Sequence, residues 1–207
     1  GRYTLDGKTY EMPGHGFARD LVWTVDNFEA DANGARAVLS VEDDESTRAL
    51  YPFGFRLVVA YTLENGEVGV HYDVAAKPAN ARSMPFSIGN HITFNTPLVP
   101  GGDAGAVTMT TPSTRELLKD GGTPTGEWRP RSHADPIPLG RMERLEAISL
   151  TGYEADPEVV LRDPAGLAIR LSHTASRLPE QPWVAFNMWG DPAAGYYSPE
   201  PWVGLQQ

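Results

Sequence analysis

Around the dipeptide Asn65-Gly66 the chain alternates strictly. Phe55, Leu57, Val59, Tyr61 and Leu63 precede it at every second position, and Val68, Val70, Tyr72 and Val74 follow it in the same rhythm. A period of two puts these side chains on one face of an extended strand, whereas a helix would scatter them around its axis. Asn-Gly readily takes the two positive-φ positions of a type I′ turn, whose twist matches that of the strands it joins. Residues 53–74 are therefore predicted to form a long antiparallel β-hairpin, and a chain built on it is committed to sheet. His71 falls on the face opposite Val70 and Tyr72 and is given no catalytic role.

The rest of the chain carries the same signature in shorter pieces. Its 21 glycines and 18 prolines are spread along the length, as expected of many short strands joined by turns. Asp6-Gly7 marks a small hairpin over residues 3–10. Strands are predicted at 23–26, 37–41, 106–111, 146–150, 159–161, 167–172 and 183–189, the last apolar except for Asn187. Residues 114–119 read as one helical turn, and the Gly- and Pro-rich stretch 121–138 as a long surface excursion carrying His133. No helix longer than two turns, internal repeat or linker is evident. The expected fold class is all-β, with antiparallel sheets packed on one another in a single domain spanning 1–207.

Composition narrows the function. Lys and Arg total 17 against 27 Asp and Glu, a formal charge of −10, which argues against nucleic acid or an anionic membrane as partner. There is no cysteine, so a disulfide framework, a thiol nucleophile and a Cys-ligated zinc are all excluded. No apolar run approaches the length of a membrane span. The chain begins at Gly1 without an initiator Met, so any signal peptide would already be gone. The compartment stays open between the cytoplasm, which is favoured, and the periplasm.

Three stretches carry side chains suited to proton transfer. In Met84-Pro85-Phe86-Ser87-Ile88-Gly89 and the residues up to Asn95, Pro85 and Gly89 break any helix and leave His91 in a stiff, partly apolar setting. Such a setting suits a tuned proton donor. Taken alone, it suits a buried histidine bonded to a backbone carbonyl better. His15 stands between Gly14 and Gly16, which let backbone or ligand come close; the plain alternative is a turn that contains a histidine. Glu200 lies between Pro199 and Pro201, on backbone with two fixed φ angles, with Trp202 beside it. Its plain alternative is an exposed loop glutamate next to a packing tryptophan.

Taken together these stretches resemble a family. His15-Gly16-Phe17-Ala18-Arg19 with Trp23, then Tyr51-Pro52-Phe53 leading into the hairpin, then the Met84 stretch with His91 and Phe94-Asn95, then Glu200-Pro201-Trp202 occur in the same order in aldose 1-epimerases, the galactose mutarotase-like proteins. The resemblance runs from Tyr3 to Gly204 and implies an antiparallel β-supersandwich with a sugar site in an open groove on one sheet. It implies that Glu200 is the general base at the anomeric hydroxyl, His91 the general acid at the ring oxygen, and His15 a histidine that hydrogen-bonds the substrate. It implies no metal or organic cofactor, since the chemistry is two proton transfers. The residues themselves agree: a carboxylate and an imidazolium are a natural base and acid near neutral pH. Arg19 can offer its fixed donors to sugar hydroxyls or pair with Asp20, and Trp202 can stack on sugar C–H faces. Asp135 corresponds, across a gapped loop, to a substrate-binding aspartate of the family.

Two departures accompany the resemblance. Members usually carry further strands before the first hairpin, including a Gly-Arg segment that binds sugar, and continue beyond the Glu-Pro-Trp segment. Gly1-Arg2 stands at the wrong distance from His15 to be that segment. The chain is thus expected to be truncated at both ends, as a fragment or a trimmed relative, with open sheet edges where strands are missing. Asn90 stands where relatives often have glycine. The leading expectation is a mutarotase acting on a free aldohexose or related sugar, of undetermined oligomeric state. Its alternatives are a non-catalytic carbohydrate-binding protein and a hexose-6-phosphate epimerase, although Arg19, Arg36 and Arg48 are too scattered in sequence to show a phosphate cluster. A glycosidase would need a second carboxylate beside Glu200, and none stands out.

Overall fold

The computed structural model describes residues 1–142, 148–178 and 183–205. The chain divides into two compact units, Gly1–Pro85 and Phe86–Gln207. Both are antiparallel β, as the alternating patterns predict, and α1 (Glu45–Leu50) is the one α-helix among the described residues.

The first unit opens with the hairpin of β1 (Arg2–Leu5) and β2 (Lys8–Glu11), turned by Asp6 at φ 52° and Gly7 at φ 75°. A four-stranded sheet follows in simple sequence order: β3 (Thr24–Ala30), β4 (Gly34–Glu42), β5 (Phe55–Glu64) and β6 (Glu67–Ala76). The β5–β6 pairing is unbroken from Phe55↔Ala76 to Glu64↔Glu67, and Asn65 and Gly66 turn it at φ 51° and 80°. That register sets Leu57 opposite Val74 and Val59 opposite Tyr72, so the alternating residues share one face. The face is buried at the Phe55 end, where Phe17, Tyr51 and Phe53 gather around it. It is open at the turn end, where Phe28, Leu63 and Val68 are exposed.

Between β4 and β5, α1 is held by local polar chemistry. Asp44 caps it, accepting from the Thr47 amide at 2.8 Å while Thr47 Oγ1 accepts from the Asp44 amide at 2.9 Å. Such a reciprocal box satisfies two amides that the helix itself cannot. Asp43 beside it is buried and accepts from the Phe55 amide at 2.8 Å, Lys77 Nζ at 2.9 Å and Arg48 Nε at 2.6 Å.

The second unit is a sandwich. Its strands are β7 (Ile88–Gly89), β8 (Phe94–Asn95), β9 (Thr108–Thr111), β10 (Arg115–Asp120), β11 (Thr123–Pro130), β12 (His133–Pro138), β13 (Ile148–Thr151), β14 (Glu158–Arg162), β15 (Ala168–Ser172), β16 (Val184–Asp191) and β17 (Tyr196–Gly204). One sheet runs β11-β10-β13-β16-β17-β7, with β8 also on β17, and the other runs β12-β9-β14-β15. Met109, Val159 and Leu161 from the second sheet pack with Leu150, Phe186, Met188 and Tyr197 from the first, and these form the core. Every apolar side chain turned into that core leaves its strand neighbours on the opposite face. Ser149, Asn187, Ser198 and Glu200 are those neighbours on the first sheet.

Two expectations are corrected here. Residues 114–119 do not form a helical turn: Arg115–Asp120 is a strand paired with both β11 and β13, with Leu117 buried opposite Ser149. Residues 121–138 are not a surface excursion but the two strands β11 and β12. Each is the edge strand of its sheet, where a proline costs no ladder hydrogen bond, so Pro124, Pro130, Pro136 and Pro138 are tolerated. His133 is only 2% exposed and accepts from Arg131 Nε at 3.0 Å. Of the predicted strand 146–150, Glu146 and Ala147 lie outside the described residues; the strand observed is Ile148–Thr151.

Candidate active site

The prolines around Glu200 explain how the site is built. Residues in an antiparallel strand point their backbone groups alternately to either side. Glu200 faces Asn187 on β16, while Pro199 and Pro201 face the side where β7 and β8 lie. On that side β17 is paired only at Tyr196–Tyr197 and Trp202–Val203. The prolines occupy the interruption, where the Asn90 amide donates to the Pro201 carbonyl at 3.0 Å. Across the same gap run residues 90–93, which carry His91. Thr93 fastens this crossing to β17 through its hydroxyl, 2.6 Å from Ser198 Oγ.

His91 Nε2 lies 3.1 Å from Glu200 Oε1. Glu200 is 3% exposed, and its other oxygen accepts from Asn187 Nδ2 at 3.2 Å and Trp202 Nε1 at 3.3 Å. A carboxylate can be buried only with its oxygens satisfied, and three donors do that here. Asn187 is oriented in turn by Lys119 Nζ and Ser149 Oγ, which donate to its Oδ1 at 3.0 and 3.1 Å. Burial pushes the Lys119 ammonium below its ordinary range, and the charges of Glu200 and Glu116 oppose that shift. The His91 side chain is exposed and stands edge-on to Trp189, with ring centroids 5.4 Å apart. The Trp202 ring covers Gly89 on β7 so closely that a Cβ there would lie 2.5 Å from it. The group is therefore a buried carboxylate and a solvent-facing imidazole in contact, walled by two indoles.

The expected alternatives for Glu200 and His91 do not hold. Glu200 is a strand residue and nearly inaccessible, not an exposed loop glutamate, and His91 meets a carboxylate on an exposed surface. His15 lies in the first unit, exposed, at φ 68° in the tight turn closed by the Gly16 amide on the Pro13 carbonyl at 3.0 Å. Arg19 follows on the same loop, its Nε 3.7 Å from Asp20 Oδ2 in an exposed pair worth little. Asp135 is exposed on a bulged part of β12, in the sheet that does not carry Glu200. Asn187, Lys119, Ser149 and Trp189 were not anticipated. Asn187 had left a signal, as the only polar residue in the apolar run 183–189.

Antiparallel β sheets packed in this way define the class of galactose mutarotase-like folds, and solved structures share that fold. A galactose mutarotase related enzyme from Lactobacillus acidophilus superposes with a TM-score of 0.80 at 24% identity, over 99% of this chain and 66% of that one. A galactose mutarotase-like protein from Clostridium acetobutylicum gives 0.80 at 17%, over 99% and 65%. One from Lactobacillus casei gives 0.75 at 24%, over 100% and 69%. This chain thus spans about two thirds of their length. The family model for aldose 1-epimerase matches residues 1–192, and the chain belongs to that family. The comparison with curated proteins returned no significant match.

Proposed function

We propose that the chain is an aldose 1-epimerase that interconverts the α and β anomers of a free aldohexose or related sugar. The observation that carries this reading is the 3.1 Å contact between His91 Nε2 and Glu200 Oε1. Opening a pyranose removes a proton from the anomeric hydroxyl and adds one to the ring oxygen. Both oxygens are bonded to the same carbon, so the base and the acid must be near neighbours. Glu200 takes the hydroxyl proton, and His91, as imidazolium, delivers one to the ring oxygen. The C1–O5 bond breaks and C1 becomes an aldehyde. Rotation about C1–C2 presents its other face, and reversal of the two transfers closes the opposite anomer.

The same pair speaks against glycoside hydrolysis, which employs two carboxyl groups across the bond. The neighbour of Glu200 is an imidazole. Trp202 and Trp189 supply flat apolar surface for the C–H faces of a sugar. The family resemblance adds His15 as a hydrogen-bond partner of the substrate and Arg19 and Asp135 as ligands of its hydroxyls; His15→Ala, Arg19→Ala and Asp135→Ala test these roles through KM.

Exchange between the α and β anomeric proton signals of D-glucose and D-galactose, followed by NMR at equilibrium, tests the proposal. The chain is expected to accelerate exchange of at least one sugar. Glu200→Gln is expected to lower kcat/KM by about 10²–10⁴, the usual worth of a positioned base. A loss below about tenfold in a folded variant contradicts the base role.

A further inference from the structure

Glu200 and Lys119 sit at opposite ends of one side-chain amide. Lys119 Nζ donates to Asn187 Oδ1 at 3.0 Å, and Asn187 Nδ2 donates to Glu200 Oε2 at 3.2 Å. An ammonium only donates and a carboxylate only accepts, so the amide between them has one workable orientation. Ser149 Oγ, 3.1 Å from the same Oδ1, fits that orientation, but a hydroxyl would fit the reverse as well. Lys119 is the group that fixes the far end. It comes from β10, two strands away from β16, past a register shift between Leu117 and Lys119.

The arrangement bears on a proton. At 3.1 Å, His91 Nε2 and Glu200 Oε1 share one proton that can rest on either. The imidazolium–carboxylate form holds the acid at His91 and the base at Glu200, as the reading above requires; with the proton on Glu200 these two roles are exchanged. Glu200 is only 3% exposed, so little water lies between it and a nearby charge. A cation one amide away favours the carboxylate. Glu116 also bears on Lys119, and Arg129 and Arg131 engage it.

We propose that Lys119 is a positioning residue for the epimerase reaction, which through Asn187 keeps Glu200 ionised and the shared proton on His91. The inference rests on the acid–base reading above. It is tested with Lys119→Met, which removes charge and donor, and Lys119→Arg, which keeps both. Lys119→Gln, which keeps a donor without charge, replaces the Met variant if that does not fold. The direct readout is the ¹⁵N spectrum of the His91 imidazole at neutral pH, which distinguishes imidazolium from imidazole whether or not the chain turns over sugar. Removing the charge is expected to lower the imidazolium-to-imidazole ratio by roughly tenfold, and to lower kcat by about the same factor with KM little changed. Lys119→Arg is expected to restore most of both. An unchanged His91 spectrum in a folded Lys119→Met or Lys119→Gln variant overturns the inference, even where the native chain proves an active epimerase. A shifted spectrum in a chain that accelerates no sugar leaves the proton placement standing and removes the epimerase reading alone.

Discussion

Gly89→Ala places one methyl group against the wall of the site. An added Cβ would lie 2.5 Å from Trp202 Cδ2 and Cε2 and 2.9 Å from Nε1. Carbon atoms rest at about 3.5–4.0 Å, so the indole must retreat by roughly 1 Å or more. Trp202 Nε1 donates to Glu200 Oε2 at 3.3 Å, already long, and a retreat of that size ends the bond. A hydrogen bond to a charged group contributes about 1.5–3 kcal/mol. The lost bond and the low end of the overpacking range, about 1 kcal/mol, together put the stability loss at about 2.5–4 kcal/mol. For a chain of this size that is about 5–16 °C in Tm. Catalysis is expected to fall as well, by about tenfold or more in kcat/KM, because Glu200 loses one of its three donors. Thermal unfolding and anomer exchange measured on the same preparation separate the two effects. An Ala variant equal to the native chain in both would show that the Gly89–Trp202 packing does not hold Glu200.

Further expectations follow from other parts of the molecule. Asp43→Asn removes the carboxylate that ties β4, α1 and β5 together through Phe55, Lys77 and Arg48, and should cost about 1–3 kcal/mol in urea unfolding. The Asp43 carboxyl is pushed up by burial, but its bonds to Lys77, Phe55 and Arg48 outweigh that and hold it below the usual range, so the Asn variant should also lose part of the native chain's destabilisation by acid. His133 is held below the ordinary imidazole value of 6.5 by burial first and by the Arg131 charge next, with Glu116 opposing; burial does the same to His173 against its bond to the Ala185 carbonyl. Below pH 6.5 the unfolded chain takes up protons that these folded sites refuse, so stability should be complete above that pH and fall as pH drops below it. Urea midpoints across this range check it, and His173→Gln should flatten part of the fall.

The parts of the fold that were legible in the sequence are those where one local signal and the tertiary structure agree. Asn65-Gly66 and Asp6-Gly7 form their turns with positive φ, and the alternating residues on either side of Asn65 pair without a slip. Reading failed where the partner strand decides. Residues 114–119 carry Leu117-Leu118 between charged residues, a short apolar run that does not discriminate helix from strand. Pairing with β11 and β13 makes it a strand. The prolines of 121–138 suggest loop unless one knows that both strands lie at sheet edges. His91 and Glu200 were singled out through the family order of their motifs, and the structure brings them into contact. Their contact depends on a ladder interrupted by Pro199 and Pro201, which no local rule anticipates. Lys119 was out of reach for the same reason, and Asn187 showed only as the one polar residue of its apolar run: three separate strands bring them to Glu200.

The most direct test of the central claim is polarimetry of freshly dissolved α-D-glucose and α-D-galactose with the native chain, Glu200→Gln, His91→Asn and the double variant. If the pair acts as one acid–base unit, the native chain hastens the fall in rotation, each single substitution removes most of that acceleration, and the double variant loses little more than either alone. Losses that simply multiply, or a native chain that leaves the spontaneous rate of both sugars unchanged, would contradict it.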